Sequence, residues 1–343
     1  MSRFPLLVSV AALALALAAC GEKSEPAAGG PAGREPFTLV LDYYPNADHA
    51  PIYAAQASGE FRRAGLDVRI QTPPDPSAPL RLLQAGRADL AISYEPEVLL
   101  ARDERRQIVS VGALVQVPLT SLMAVGGNVR SVRDLRGKTI GTAGIPYQDA
   151  YLETILEKAG IPRESVRKVD VGFNLIPAML SKRVDATLGA FWNVEGVELE
   201  RRGRKPTILR MEELGVPTYD ELVFAARRQD LTAEKASRLR RFLAAVARGA
   251  ALVRDDPGRA ADAIVKANPD LERGSQLASI KATLPAFFDE KTEAFGIQDE
   301  TQWLMYGQWM REQNLLDRDP LADNAVTNEF LPGEGLQKER TEY

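Results

Sequence analysis

Side chains able to do chemistry gather in a few short runs of this sequence. One reads Asp42-Tyr43-Tyr44-Pro45-Asn46-Ala47-Asp48-His49, and others are Tyr94-Glu95, Tyr147 and Trp192-Asn193 with Glu195. Aromatic faces beside a few carboxylate and amide groups suit a planar, polar heterocycle. Ring stacking adds about 0.5–1.5 kcal/mol beyond burial, and a carboxylate such as Glu95 or Glu195 accepts hydrogen bonds from ring or amino N–H groups. The chain is only 7% aromatic, which makes the concentration informative. Candidate ligand-binding residues are therefore Tyr43, Asn46, His49, Tyr94, Glu95, Tyr147, Trp192 and Glu195. Structural alternatives stay open for several of them. Tyr43 or Tyr44 can face a core by strand alternation, His49 can be a helix-start residue bonded to backbone, and Trp192 can pack between lobes. Glu95 can simply favour a helix N-terminus, worth about 0.3–1 kcal/mol.

Catalysis has little to stand on. With one Cys and one His in 343 residues, a disulfide framework, a Cys/His zinc site and any Cys–His dyad other than Cys20 with His49 are excluded. The RGKT at 136–139 lacks the first glycine of a phosphate loop, because that position is Val132. GTAG at 141–144 does not meet a dinucleotide fingerprint, and no G-x-S-x-G elbow occurs. We therefore assign no catalytic residue, no metal and no cofactor. Lys and Arg number 43 against 47 Asp and Glu, a balance of −4, which gives no basic footprint for nucleic acid.

The elements that must position these runs read as an α/β protein. Length alone suggests two domain-sized units. Strands are predicted at 37–43, 66–70, 88–93 and 107–116, with helices at 49–58, after a Ser77 cap, and at 97–104. That alternation implies parallel strands with helices on both faces. The pattern restarts with a one-turn helix capped by Ser131, strands at 138–144, 166–172 and 184–191, and helices at 147–159 and 174–182, the latter broken at its start by Pro177. A strand at 222–228 precedes helices at 232–253, 256–267, 275–286 and 301–314, in which Trp303 and Trp309 read as core. Two stretches share one design, a basic residue closing a helix and a short strand after Asp89 or Asp185. We read two similar lobes, chain crossings near 117–128 and 215–228, and a helical tail packed back on the first lobe. Open α/β sheets bind ligands at the carboxyl ends of their strands. The aromatic runs fall there, with helix N-termini at 49 and 147 as backbone donors.

Residues 8–19 are an apolar run too short to span a membrane comfortably, after a single Arg3, with the proportions of a secretory h-region. Leu17-Ala18-Ala19-Cys20 resembles the lipobox of bacterial lipoproteins, which implies acylation of Cys20 and a signal peptide over 1–20. Residues 21–36 are rich in Gly and Pro and read as a flexible tether. Such a chain is held at a membrane surface and works in the water beside it.

LDYYPNADHAPIYAAQASGEFRRAGLDVRI, the loop at 74–77, AGRADLAISYEPEVLLAR and FWNVEGVELERRG together resemble the solute-binding proteins related to thiamine-pyrimidine precursor synthases. The similarity covers 37–228 well and the tail loosely. It implies a type II periplasmic-binding-protein fold, two lobes around a hinge with a helical C-terminal segment, lobe 1 over 37–120 and 225–335 and lobe 2 over 121–224. It maps site positions onto Tyr43, Asn46, His49, Tyr94, Trp192 and Glu195, and makes 218–221 a second hinge where the acid Glu221 faces the cleft. One departure is Tyr43, where relatives commonly carry tryptophan. The implied role is capture of a formylaminopyrimidine- or hydroxymethylpyrimidine-like thiamine precursor for an ABC permease and its ATPase. The protein would act as a monomer, lipid-anchored on the periplasmic side of the cell envelope. Riboflavin or another heterocycle on the same fold is the alternative. A sulfonate-like anion is disfavoured because no Arg or Lys stands among the strand-end residues. A pyrimidine synthase-like enzyme is disfavoured because related enzymes use a cysteine-rich motif, and Cys20 is the one cysteine here.

Overall fold

A computed structural model describes residues 33–288, 294–318 and 324–333. The apolar leader, Cys20 and most of the tether lie outside the described residues. The first half of the chain runs β1 (Glu35–Val40), α1 (Ala50–Ser58), α2 (Glu60–Arg63), β2 (Leu66–Gln71), α3 (Pro79–Gln84), β3 (Leu90–Ser93), α4 (Glu95–Asp103) and β4 (Ile108–Val115). The middle runs β5 (Thr120–Val125), β6 (Thr139–Thr142), α5 (Pro146–Lys158), β7 (Arg167–Asp170), α6 (Leu175–Leu180), β8 (Ala186–Phe191), α7 (Val197–Arg201) and β9 (Pro206–Arg210). After β10 (Leu222–Arg227) come the helices α8 (Ala233–Asp255), α9 (Pro257–Ala267), α10 (Arg273–Thr283) and α11 (Glu300–Glu312).

Two five-stranded sheets result, ordered β2-β1-β3-β10-β4 and β7-β6-β8-β5-β9. Apolar runs with little polar interruption mark β3, β4 and β8, and each is buried along its whole length. The shared design seen in the sequence has a shared structural role. Asp89 accepts the Thr38 N–H of β1 at 2.7 Å, and Asp185 accepts the Thr139 N–H of β6 at 2.8 Å. In each lobe the carboxylate just before one strand thus holds a main-chain N–H of that strand's parallel neighbour, β3 with β1 and β8 with β6.

The all-parallel expectation fails at two strands. β10 runs antiparallel to β3 and β4, and β5 antiparallel to β8 and β9. Both adjoin a passage between sheets: the chain leaves β4 for β5 through 116–119 and returns from β9 to β10 through 211–221. A strand arriving from the other lobe need not follow the right-handed crossover that makes neighbours parallel. β5 and β9 were missed in the sequence. The first lies within the 117–128 crossing that the sequence implies, and the second is short, only partly buried and opens on Pro206.

Smaller differences follow from local bonding. Ser77 does not cap a helix; its hydroxyl donates to Asp75 at 2.7 Å and α3 opens on Pro79. His49 ends a short 3-10 turn (Ala47–His49) before α1, so it does not share a helix face with Tyr53. Pro177 sits in the first turn of α6 without breaking it, as Pro tolerates there. The tail packs on the first lobe: Phe242 of α8 stacks between Phe37 at 4.5 Å and Phe61 at 5.2 Å. It also reaches the second, where Arg201 donates to Ser275 at 3.0 Å and Tyr151 of α5 meets the Tyr306 hydroxyl.

Candidate functional site

A cavity is lined by the segments that follow β1, β3, β6 and β8, so both sheets contribute walls. The loop after β1 is braced from within. Asn46 Oδ1 accepts the Asp48 N–H at 2.9 Å, and His49 Nδ1 accepts the Asn46 N–H at 3.2 Å. With Nδ1 accepting an amide proton, the imidazole proton must sit on Nε2. That nitrogen donates to Asp42 at 2.8 Å, and the Tyr94 hydroxyl donates to the other carboxylate oxygen at 2.9 Å. His49 therefore stands wholly buried behind the cavity and fixes Asp42, which lines it beside Tyr43, Asn46 and Tyr94.

The facing wall holds Tyr147, Gln148, Gly189, Phe191 and Glu195. Glu195 accepts the Phe191 N–H at 2.8 Å. Burial pushes its carboxyl up to about 7, with the charges of Glu198 and Asp42 adding and the backbone bonds opposing. Gln148 accepts the Ala143 N–H at 2.9 Å, which orients its amide. Gly189 holds φ +112°, and a Cβ there would overlap the Gln148 amide, so this wall requires glycine. The cavity has about 340 Å³ of space between atoms, its open mouth included. It is a slot. Tyr94 and Tyr147 approach across it, ring centroids 5.3 Å apart. The Tyr43 hydroxyl is buried without a partner among the described residues, and burial, reinforced by the Glu195 charge, raises its pKa well above the usual phenol value. No Lys or Arg among the described residues lines the slot. Its chemistry is aromatic walls, two carboxyl groups, two amides and one unengaged hydroxyl.

Of the candidate residues, Tyr43, Asn46, Tyr94, Tyr147 and Glu195 are brought together here. The structure places the others elsewhere. Glu95 accepts the Asp220 N–H at 2.7 Å and lies under Gln302, fastening the return passage. Glu221 accepts from Leu119 N at 2.6 Å, from Thr120 N and Oγ1 at 2.8 and 2.9 Å, and from the Tyr219 hydroxyl at 2.9 Å. It bolts the two passages together rather than facing the slot. Trp192 donates its Nε1–H to Pro118 O at 3.0 Å and lies 4.0 Å under the Arg210 guanidinium, so its ring is turned to the passage. The α5 N-terminus offers no free donor at 147, because Tyr147 N donates to Glu97 at 3.1 Å. Sequence reasoning missed Asp42 and Gln148 as site residues, although both adjoin chosen ones. Phe173, packed edge-on 4.6 Å from Tyr43, carried no signal. Among the described residues, no cluster of His, Cys, Asp and Glu could hold a metal, and no helix is long and apolar enough to cross a membrane.

Comparison with known proteins gives this geometry a lineage. The alkanesulfonate-binding protein SsuA of Xanthomonas axonopodis pv. citri, bound to MOPS, superposes with a TM-score of 0.64 at 20% identity over 85% of this chain and 99% of its own. That likeness establishes the periplasmic-binding-protein fold. The formylaminopyrimidine-binding protein of Halalkalibacterium halodurans is 32% identical over 86% of this chain and 90% of its own length. The 4-amino-5-hydroxymethyl-2-methylpyrimidine phosphate synthase of Legionella pneumophila is 27% identical over 86% and 92%. A family model described as NMT1/THI5 like matches residues 46–260. The chain is a member of the NMT1/THI5-like family, carried on a two-lobed binding-protein fold.

Proposed function

We propose that this protein is the solute-binding component of an ABC importer and captures a thiamine-precursor pyrimidine between its lobes. The jaws are the two sheets, with lobe 1 over 37–120 and 225–335 and lobe 2 over 121–224. The supporting observation is the slot itself: walls of Tyr43, Tyr94, Tyr147 and Phe191, acceptors on Asp42 and Glu195, and no cation among its lining residues. Stacking between the rings holds a flat heterocycle, while the carboxyl groups take up amino or ring N–H groups. Ligand contacts to both jaws favour the closed form by their difference in affinity for the two states. An anion would find no Lys or Arg among the lining residues and two carboxyl groups beside it, so the sulfonate ligands of the structural neighbour are disfavoured. A synthase activity is disfavoured too. Both ring nitrogens of His49 are engaged within the protein, and the sequence offers Cys20 alone as a thiol.

In this reading a lipid on Cys20 tethers the monomer at the periplasmic face, beside a permease and its ATPase. Titration calorimetry with formylaminopyrimidine, hydroxymethylpyrimidine, riboflavin and an alkanesulfonate tests it. Saturable binding of a pyrimidine with no heat from the sulfonate is expected. Tight sulfonate binding, or turnover of the pyrimidine, would refute it.

A further inference from the structure

Two acceptor oxygens between the lobes, Asp48 Oδ2 and Asn193 Oδ1, have no partner among the described residues. Both residues are fully shielded from solvent. They are already joined once, Asn193 Nδ2 donating to Asp48 Oδ1 at 2.6 Å. The second hydrogen of that amide goes to Thr283 Oγ1, also at 2.6 Å, whose own proton lies within reach of the Ser279 carbonyl at 2.8 Å and of Asp48 Oδ1 at 3.2 Å.

A single proton held between them would satisfy both leftover oxygens. A carboxylic acid and a primary amide are complementary: the acid O–H donates to the amide oxygen while the amide N–H donates to the acid carbonyl. We propose that Asp48 and Asn193 form this cyclic acid–amide pair, a proton-dependent clasp that positions the loop after β1 against the turn after β8. Asp48 is a positioning residue. It does not line the slot, but its loop carries Asp42, Tyr43 and Asn46, while Asn193 stands between Phe191 and Glu195. When the proton leaves, two acceptors face each other, one charged, and the lobes lose a bond.

The surroundings favour the protonated form. Burial raises the Asp48 carboxyl to about 7, Asp42 and Glu195 adding to the rise and His49 and the Asn193 bond opposing it. Tyr44 is the other titratable group within its field. Apart from His49, the neighbouring elements bring no basic side chain against it. β4 carries no charged residue and α1 none. α9 buries Ala260, Ala261 and Ile264, and α10 buries Gln276, Ser279, Ile280 and Thr283. The charged residues of both helices, Lys281 among them, point to solvent.

Melting temperature against pH tests the clasp without any ligand, in wild type, Asp48→Asn, Asn193→Leu and the double variant. In Asp48→Asn the introduced amide would keep both bonds at every pH. That variant is therefore expected to match wild type at pH 5 and to melt several degrees higher at pH 8, with the gain vanishing in the Asn193→Leu background. A profile parallel to wild type overturns the proposal. So does a gain that survives Asn193→Leu, since it would report only removal of a buried charge. If added potassium or calcium restores wild-type stability at pH 8, the oxygens belong to a cation site and the proposal fails. Should a variant not fold, the wild-type Asn193 side-chain amide resonance decides, because it must shift between pH 5 and 8 with an aspartate carboxyl signal. Pyrimidine affinity falling over the same range is a consequence that rests on the proposed function, so its failure alone leaves the melting arms to decide.

Discussion

Glu195 and Trp192 stand three positions apart, yet their surroundings give them different work. Glu195 has one oxygen engaged by Phe191 N at 2.8 Å and lines the slot. Trp192 has its N–H and its ring face both occupied by the protein. In Glu195→Gln the side chain keeps its volume but exchanges an acceptor for a donor. Pyrimidine affinity is expected to fall at least ~10-fold, about 1.4 kcal/mol. Trp192→Ala should leave affinity within about threefold, under 1 kcal/mol on the same scale, while lowering the melting temperature through the lost Pro118 bond and Arg210 contact. Calorimetry and thermal melts on the two variants separate these roles, and a tenfold affinity loss in Trp192→Ala would return that ring to the site.

At the scale of elements, packing between α1 and α8 makes a sharp demand. A Cβ on Gly249 would overlap the Pro51 carbonyl oxygen and crowd Ala55, so the helices can approach this closely at that point only because position 249 has no side chain. Gly249→Ala is expected to cost about 1–3 kcal/mol by overpacking, read from chemical denaturation, despite Ala being the better helix former. Small residues of this kind were legible only as helical spacing, since the approach they permit depends on which helix lies opposite. The same limit explains what the sequence withheld elsewhere. Asp89 and Asp185 repeat a local pattern, so the likeness of the lobes was readable. Glu95 and Glu221 follow or precede strands as ligand acids would. Whether such an acid meets a ligand or the amides of Leu119, Thr120 and Asp220 is decided by residues about a hundred positions away. The Tyr43 and Tyr94 runs were found because strand-end placement is a property of the fold class. β5 falls within the stretch that the sequence marks as a crossing, whereas β10, which enters the other sheet in the same way, is legible from its apolar run at 222–228.

Across the whole molecule, two consequences can be measured. If Cys20 is acylated, Cys20→Ser should move the protein from the membrane fraction to the soluble envelope fraction, with ligand affinity unchanged. The second concerns acids buried without cations. Burial lifts Asp48, Glu195 and Glu221 to about 7, against ordinary values of 3.8, 4.5 and 4.5. Between about pH 4 and pH 7 the folded protein therefore holds more protons than the unfolded chain, and unfolding free energy must fall as pH rises through that window. Carboxylates whose folded values are lowered act the other way, but at lower pH: Asp75 is held down by Ser77 and Arg81 against burial, which raises it, and Glu272 by backbone bonds to about 2. Their contribution is lost on acidification, below the window that the buried acids govern. Stability is accordingly expected to be greater at pH 5 than at pH 8. Glu221→Gln should flatten part of the slope, because an amide at that position has no proton to lose. Denaturant titrations at a series of pH values measure this directly. A stability that climbs steadily from pH 5 to pH 8 would mean that these carboxyls are ionised in the folded protein, and that water or a counter-ion reaches them.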